Sequence, residues 1–178
     1  MNQLDTPLET GYLLRIGIDH FKEINDNFGQ EYGDFVLKKT AECISGCTSE
    51  GQKVYKLVAD EFLILDVASD EAKDADKLYD KVREAIDRFI ETNEFKVMYT
   101  VSGGIVPFAA LKGNQYAEAL KLTDFALNEA KKLGRNRCYI FNGETYRKFL
   151  RKREITQELR ESCDQWISGL TAFTSCIA

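Results

Sequence analysis

Two adjacent carboxylates, Asp60 and Glu61, interrupt the apolar stretch KLVADEFLIL at residues 56–65. The apolar runs on either side predict two short strands joined by a tight turn, with both acids at the tip of a β-hairpin. Such acids are either solvated turn residues or ligands for a divalent cation, and both interpretations are open. Val58 and Ala59 precede the acids, although a tight turn favours glycine or asparagine there.

The start of the first predicted helix has the features of an anion site. Residues 12–18, YLLRIGI, read as a strand, and the helix begins directly after it. Backbone N–H groups at a helix N-terminus lack partners within the helix, and the helix dipole favours negative charge beside them. Lys22 adds a positive charge in the first turn, so we expect this end of the helix to bind a phosphate.

Two cations lie at the C-terminal end of the helix predicted over residues 115–134, which Gly134 ends as a C-cap. Lys131 and Arg135 either offset the negative C-terminal end of that helix or reach a phosphate from it. If the topology described next is right, this helix end, the hairpin tip and the first helix converge.

The order of elements predicts an α+β fold. Strands and helices follow as β, α, α, β, β, α, β, α, β and a trailing helix, so hairpins and long crossovers share one sheet. Residues 95–108 read as one long strand in which Gly103 and Gly104 indicate a bulge or a close backbone approach. We therefore expect a palm-like, mainly antiparallel central sheet flanked by helices, related to the split βαβ unit.

Composition excludes several classes of function. The chain has 178 residues, a net charge of −5 and a pI near 5.1, which argues against binding to a nucleic acid polymer. No apolar run is long enough to span a bilayer and no leader is recognisable, so we expect a cytoplasmic location and no membrane contact. Five irregularly spaced cysteines and one histidine argue against a zinc site and for buried, reduced thiols.

Four stretches together resemble a known family. IDHFKEINDNFGQEYGD, ADEF, TVSGGI and AKKLGRN occur in the order and spacing of the GGDEF domain of bacterial diguanylate cyclases, over residues 13–141. The resemblance implies a nucleotide-cyclase-like fold. It also implies condensation of two GTP molecules into cyclic di-GMP by a homodimer, with one GTP per subunit and Mg²⁺ or Mn²⁺ as cofactor.

The resemblance also assigns substrate-binding residues. Asn25 and Asp34 match the guanine-reading pair, and a carboxylate can accept the N1–H and exocyclic N–H of guanine, which adenine does not offer. Asp34 has a second interpretation as N-cap of a helix starting near Phe35. The matching phosphate contacts are the side chains of Lys22, Lys131 and Arg135 and the backbone N–H groups of His20 and Phe21.

The resemblance places a metal beside the signature. Asp60 matches the metal-holding carboxylate, Glu61 the acidic residue next to it in the catalytic signature, and the carbonyl of Ile18 a further ligand. The family's other metal carboxylate is replaced by Gly17, which has no ligand atom in its side chain. Asp19 lies two positions further and faces the same way on an extended strand, so it is a candidate replacement ligand.

The signature glycines are replaced as well. Val58 and Ala59 stand where the family has two glycines, which allow positive φ and close approach of the nucleotide. A β-branched valine fits such a backbone poorly, and its side chain fills space that GTP needs. The expected consequence is a turn of different shape or a displaced nucleotide.

The chain is expected to divide into a GGDEF-like domain at residues 1–142 and a helical linker at residues 143–178. The stretch FLRKREITQELRES resembles the linker that joins a GGDEF domain to a following EAL phosphodiesterase domain. The function predicted is a degenerate GGDEF domain that binds GTP, or dimerises, and regulates an attached EAL phosphodiesterase. The alternatives are an active cyclase with an altered metal site and a scaffold that binds no nucleotide.

Overall fold

The computed structural model describes residues 10–69, 72–92, 97–111 and 116–175. The elements, in chain order, are β1 (Tyr12–Ile18), α1 (Phe21–Phe28), α2 (Gln30–Cys47), β2 (Gln52–Lys56), β3 (Glu61–Asp66), α3 (Ala72–Thr92), β4 (Val101–Pro107), a 3₁₀ turn (Phe108–Ala110), α4 (Tyr116–Lys132), β5 (Cys138–Ile140) and α5 (Gly143–Ser175). This order matches the expected one, and the α+β fold class is confirmed.

The sheet has the strand order β2-β3-β1-β4-β5. All neighbouring strands in it are antiparallel except β4 and β5, which are parallel. The first strand of the chain therefore lies at the centre, between the hairpin β2–β3 on one side and β4 on the other. The prediction of a mainly antiparallel sheet is confirmed.

Alternation along β1 separates the hydrophobic core from a polar site. Leu14, Ile16 and Ile18 are fully buried and pack in the core with residues of α2 and α3. Arg15 and Gly17 lie on the opposite face, in contact with residues of α4. One strand thus supplies the core with one face and the candidate site with the other.

The glycines of β4 allow close packing rather than a bulge. The ladder between β1 and β4 is continuous from Ile18 with Val101 to Tyr12 with Pro107. A Cβ added to Gly104 would lie 2.3 Å from the backbone nitrogen of Leu127 in α4, so only glycine permits this approach.

The long strand expected over residues 95–108 is shorter in the structure. Its first two residues lie outside the described part, and β4 begins at Val101 because β1, its partner, ends at Ile18. The chain leaves the sheet there and turns through His20, whose φ is +56°. Without a strand opposite them, residues 97–100 form no ladder.

The chain divides into two compact units, Met1–Phe141 and Asn142–Ala178. In the second unit, the side-chain oxygen of Asn142 accepts hydrogen bonds from the backbone N–H groups of Glu144 and Thr145, at 2.9 and 3.0 Å, and so caps α5. No helix in the described ranges combines the length and apolar character needed to cross a membrane.

The described cysteines are free thiols. Cys43, Cys47 and Cys138 are half-buried, as a packing role requires, and burial raises their pKa. The expectation of buried thiols is wrong for Cys163, which is exposed on α5. Cys176 lies outside the described residues.

Candidate functional site

The end of β1, the hairpin tip and the end of α4 meet at one place. Gly17 is the register partner of Glu61, and the backbone N–H of Ile18 donates to the carbonyl of Asp60 at 3.3 Å. A Cβ built on Gly17 would lie 3.2 Å from the Nζ atom of Lys131 in α4. The three regions that the sequence expects to converge are therefore in contact.

The hairpin tip is a tight turn braced by a lysine. The backbone N–H of Glu61 donates to the carbonyl of Val58 at 3.2 Å, and Lys56 Nζ donates to the carbonyl of Ala59. Positive φ occurs at Ala59, at +53°, and not at Val58. Val58 therefore avoids the positive φ that a β-branched residue fits poorly, and its side chain is 81% exposed at the tip.

Glu61 is held in an ion pair beneath α4. Its carboxylate accepts hydrogen bonds from two nitrogens of Arg15, Nη2 and, at 2.7 Å, Nε. The two side chains are only 19% and 14% exposed, and Arg15 also lies 3.5 Å from the carboxylate of Asp124. Sequence reasoning missed Arg15, although a lone arginine in the apolar strand YLLRIGI was the signal for a partly buried acid opposite it.

Asp60 differs from its neighbour Glu61. Within the described residues no hydrogen bond reaches the Asp60 carboxylate. Its charge lies close enough to Lys56 to act on the pKa of that amine. Burial lowers the Lys56 pKa, and the charges of Asp60 and Glu61 oppose that shift. Of the two signature acids, Asp60 is thus the one with its oxygens free of protein donors.

Asp19 is buried, with 3% of its surface exposed. Its carboxylate accepts hydrogen bonds from the hydroxyls of Thr100 and Ser102, both at 2.7 Å, and from the backbone N–H of Asn136 at 3.2 Å. Arg135 and Asn136 both have positive φ, at +61° and +47°. Asp19 therefore joins β1 to β4 and holds the strained loop that carries Arg135.

The N-terminus of α1 presents unpaired donors. His20 is the N-cap, and its ring contacts the carboxylate of Glu23 at 2.7 Å instead of capping the helix. Within the described residues, no acceptor is bound by the backbone N–H groups of His20 and Phe21. Lys22 is exposed beside them. These groups are arranged as an anion site requires.

The side chain of Asn25 in α1 lies against the backbone of α2. A Cβ added to Gly33 would lie 1.8 Å from Asn25 Oδ1, so only glycine leaves room for the amide. Asp34 is the next residue and is exposed. The predicted guanine-reading pair is thus found where the two helices touch.

The N-cap interpretation of Asp34 is wrong. Helix α2 begins at Gln30 with Gly29, at φ +85°, as its N-cap, so Asp34 lies in the second turn. The break between α1 and α2 is at Gly29, and Gly33 lies within α2. Gly29 permits the sharp change of direction because it has no Cβ.

Comparison with known proteins identifies the family. The family profile described as "Diguanylate cyclase, GGDEF domain" matches residues 2–137. The chain belongs to the GGDEF domain family. It is therefore a domain of cyclic di-GMP signalling, in a family whose members bind GTP, act as dimers and, as cyclases, depend on metal ions.

Individual relatives of this GGDEF domain include cyclases and a phosphodiesterase. It is 28% identical over 148 residues to the cyclic di-GMP phosphodiesterase NbdA of Pseudomonas aeruginosa, covering 83% of this chain and 18% of NbdA. It is 30% identical over 128 residues to the diguanylate cyclase DgcZ of Escherichia coli, covering 71% of this chain and 42% of DgcZ. The chain thus spans less than half the length of either protein.

A solved structure supports the same assignment. The GGDEF domain of TpbB (YfiN) from Pseudomonas aeruginosa superposes with a TM-score of 0.70 at 27% identity, covering 80% of this chain and 83% of that one. The nucleotide-cyclase-like fold of this GGDEF domain is therefore shown by structure as well as by sequence.

The donors in this GGDEF domain do not fit the metal site of the family. Gly17 offers no side-chain ligand, Asp19 is occupied by three hydrogen bonds, and Glu61 is paired with an arginine. Asp60 and the carbonyl of Ile18 are left. Among the described residues no three His, Cys, Asp or Glu side chains are grouped to hold a metal ion. Mg²⁺ takes six oxygen ligands, but only one or two of them are usually protein carboxylates, and water and substrate phosphates supply the others. Binding of Mg²⁺ or Mn²⁺ by Ile18, Asp19 and Asp60 stays a prediction, and the geometry disfavours only Asp19, whose carboxylate already accepts three hydrogen bonds.

A cavity of about 520 Å³ lies between α1, α3 and the segment before β4. Its lining includes His20 at the start of α1 and four acidic residues, Asp19, Glu23, Asp87 and Glu91, whose negative charge disfavours a triphosphate inside it. The anion site at the start of α1, with its cations, is therefore the better candidate for a nucleotide.

Proposed function

We propose that this GGDEF domain binds GTP, has little or no cyclase activity, and regulates an attached EAL phosphodiesterase. The observation that supports it is the contrast between two parts of one site. The groups suited to guanine and phosphate are present, whereas the position of a metal carboxylate is Gly17, with Lys131 above it.

The proposed pose follows from the chemistry of each group. Guanine lies between α1 and α2, where the Asp34 carboxylate accepts from N1–H and the exocyclic amine, and the Asn25 amide completes the edge. The triphosphate lies at the N-terminus of α1. Lys22, Lys131 and Arg135 surround it with positive charge, and Asp19 fixes the loop of Arg135.

Turnover demands more than binding. Phosphoryl transfer needs compensation of the charge that develops on the transferred group and alignment of the attacking 3′-hydroxyl, which comes from the second subunit of a homodimer. Here Glu61 is tied to Arg15 and Asp19 to β4, which leaves Asp60 as the acid facing the nucleotide. We therefore propose weak or absent condensation.

A regulatory role is supported by α5 and by a relative. The helix has 33 residues and spans about 50 Å, which suits a semi-rigid connector to a neighbouring domain. NbdA, in which the matching segment is 18% of the length, is by name a cyclic di-GMP phosphodiesterase. We propose that GTP binding in this domain alters the activity of an EAL domain joined through α5.

Calorimetric titration tests the binding step. We expect GTP to bind and ATP to bind at least about tenfold more weakly, because adenine offers an acceptor where Asp34 also accepts. Asp34→Asn should remove most of that preference, whereas Asp26→Asn, an exposed change on α1, should leave it intact. Absence of GTP binding would contradict the proposal and favour the scaffold function.

An active cyclase is the second candidate, favoured by the free carboxylate of Asp60. Incubation with GTP and Mg²⁺ or Mn²⁺, followed by chromatography for cyclic di-GMP, separates the two. Steady product formation that Asp60→Asn abolishes would establish the cyclase. Where the chain is joined to a phosphodiesterase, a rate of cyclic di-GMP hydrolysis that responds to GTP, and that Asp34→Asn makes unresponsive, would establish the regulatory role.

A further inference from the structure

A lysine occupies the space above the glycine that ends β1. A Cβ on Gly17 would lie 3.2 Å from both Lys131 Nζ and the Leu127 Cδ2 atom. A side chain that extends beyond a Cβ at this position would have to share its space with the ammonium group. Lys131 is half-buried, and no residue of the described part forms an ion pair or hydrogen bond with its ammonium.

The other acids at this place already interact with groups of the protein. The Glu61 carboxylate is paired with Arg15, and the Asp19 carboxylate accepts three hydrogen bonds from neutral donors. The charge of Asp60 acts on the neighbouring amine of Lys56. Glu61 is therefore compensated by a cation of the protein, Asp60 lies near one, and Asp19 is held by hydrogen bonds.

A cation held at Gly17 has two effects. Its positive charge repels a divalent metal ion from the space above Gly17. The same charge attracts a phosphate oxygen, and it adds to the unpaired N–H groups at the start of α1. Both effects shift the site from metal-mediated to direct binding of phosphate.

We propose that Lys131 takes the place of the metal ion in this domain, so that a nucleoside triphosphate binds without a divalent cation. The inference rests on the proposed binding of GTP. It adds that the affinity does not depend on Mg²⁺, and it names Lys131 and Gly17 as the residues that decide this.

The first test is GTP titration of the wild-type chain in EDTA and in Mg²⁺. We expect the affinity for GTP in EDTA to be at least about one third of that in Mg²⁺, because Lys131 supplies the charge compensation. Lys131→Ala should lower the affinity in EDTA by about tenfold or more. The matched control is Lys132→Ala, since Lys132 bonds Glu129 at 2.6 Å on the same turn, and it should bind like the wild type.

The second test restores a carboxylate. Gly17→Asp places an acid beside Lys131, so metal-free affinity should fall about tenfold and Mg²⁺ should recover it. Gly17→Ala is the steric control, because its Cβ meets only the flexible ends of Leu127 and Lys131. It should stay independent of Mg²⁺. Circular dichroism checks that both variants fold.

The outcomes separate the two proposals. GTP binding by the wild type that needs Mg²⁺, or unchanged metal-free affinity in Lys131→Ala, would overturn the role of Lys131 and leave GTP binding standing. Absence of GTP binding in both buffers would overturn the proposed function and this inference with it. If Gly17→Asp does not fold, the GTP affinities of the wild type and Lys131→Ala in the two buffers still test the role of Lys131.

Discussion

The carboxylate of Asp19 accepts a hydrogen bond of 3.2 Å from the backbone N–H of Asn136, which follows it by 117 residues. Replacing Asp19 by alanine leaves this N–H and the buried hydroxyl of Ser102 without their acceptor. We expect the free energy of unfolding to fall by about 2–3 kcal/mol, because unpaired buried polar groups are costly. Urea denaturation measures it.

The exposed acid Asp76 gives the control for this prediction, since Asp76→Ala should change stability by less than about 0.5 kcal/mol. The result would also bear on the alternative role of Asp19 as a metal ligand. Removing an acid kept only for a metal leaves the metal-free fold as stable or more so, and that outcome would refute its structural role.

The ion pair between Arg15 and Glu61 should be among the stronger ones in the domain. Both side chains are mostly buried, so a double-mutant cycle with Arg15→Met and Glu61→Gln should give a coupling free energy of about 1–3 kcal/mol. The pair of Lys77 and Asp74, which are 72% and 43% exposed, should give less than about 0.5 kcal/mol. Equal values for the two pairs would show that burial of the first pair adds nothing.

Replacement by glycine should change the free energy of unfolding in opposite directions at two neighbouring residues of the hairpin tip. At Ala59 the positive φ is unfavourable for a residue with a Cβ, so Ala59→Gly should raise the free energy of unfolding by about 0.5–1 kcal/mol. At Val58, which lacks positive φ, Val58→Gly should lower it by about 0.5–1 kcal/mol through the entropy of the unfolded chain. Thermal unfolding compares the two variants with the wild type. A change in stability in the same direction for both would contradict the assignment of positive φ to Ala59 alone.

Helix α2 offers two glycines with different surroundings. Gly33→Ala pushes the Asn25 amide out of place and should reduce GTP affinity at least about tenfold. Gly46→Ala meets nothing within 4 Å, so it should leave GTP affinity unchanged and raise stability by about 0.5–1 kcal/mol through helix propensity. Unchanged affinity in Gly33→Ala would remove Asn25 from the nucleotide site.

Acid should weaken the domain partly through Asp66, which is fully buried at the end of β3. Burial alone would raise its pKa, but hydrogen bonds from Gln52, Ala68 and Ser69 outweigh burial and hold the pKa below its ordinary value of 3.8. The ionised form therefore favours folding, and its contribution is present above about pH 4 and lost as the pH falls through the folded pKa.

The measurement is urea unfolding of the wild type and Asp66→Asn at pH 7 and near pH 3. We expect the variant to be less stable by about 1–3 kcal/mol at pH 7 and the difference to shrink in acid. A difference that does not change with pH would show that Asp66 contributes no linkage.

Much of this molecule can be predicted from the sequence, because its elements are local. The order of strands and helices predicted from the sequence is the one observed, and Gly134 has φ +117° just after α4, as expected of a C-terminal cap. Individual side-chain pairs between distant segments were not predictable, although the meeting of the three site regions was. Arg15 meets Glu61 across 46 residues, and only the register of β1 with β3 brings them together.

The errors have physical causes as well. A cap was one interpretation of Asp34 because Asp is a favoured N-cap residue, but residue preference alone does not fix where a helix begins, and Gly29 caps α2 instead. For the hairpin tip, the sequence predicted a turn of different shape or a displaced nucleotide, but it cannot reveal which residue of a tight turn takes positive φ. The free energy of the whole hairpin decides that, and it is Ala59.

Because β1 is central in the sheet, its contacts with neighbouring strands can form only as later parts of the chain are synthesised. The central strand β1 is made before its neighbours β3 and β4. The bond from Asp19 to Asn136 closes only after nearly the whole first unit has been made. A nascent chain that ends before α4 lacks both Lys131 and the loop of Arg135, so the proposed GTP binding requires that most of the first unit has been translated.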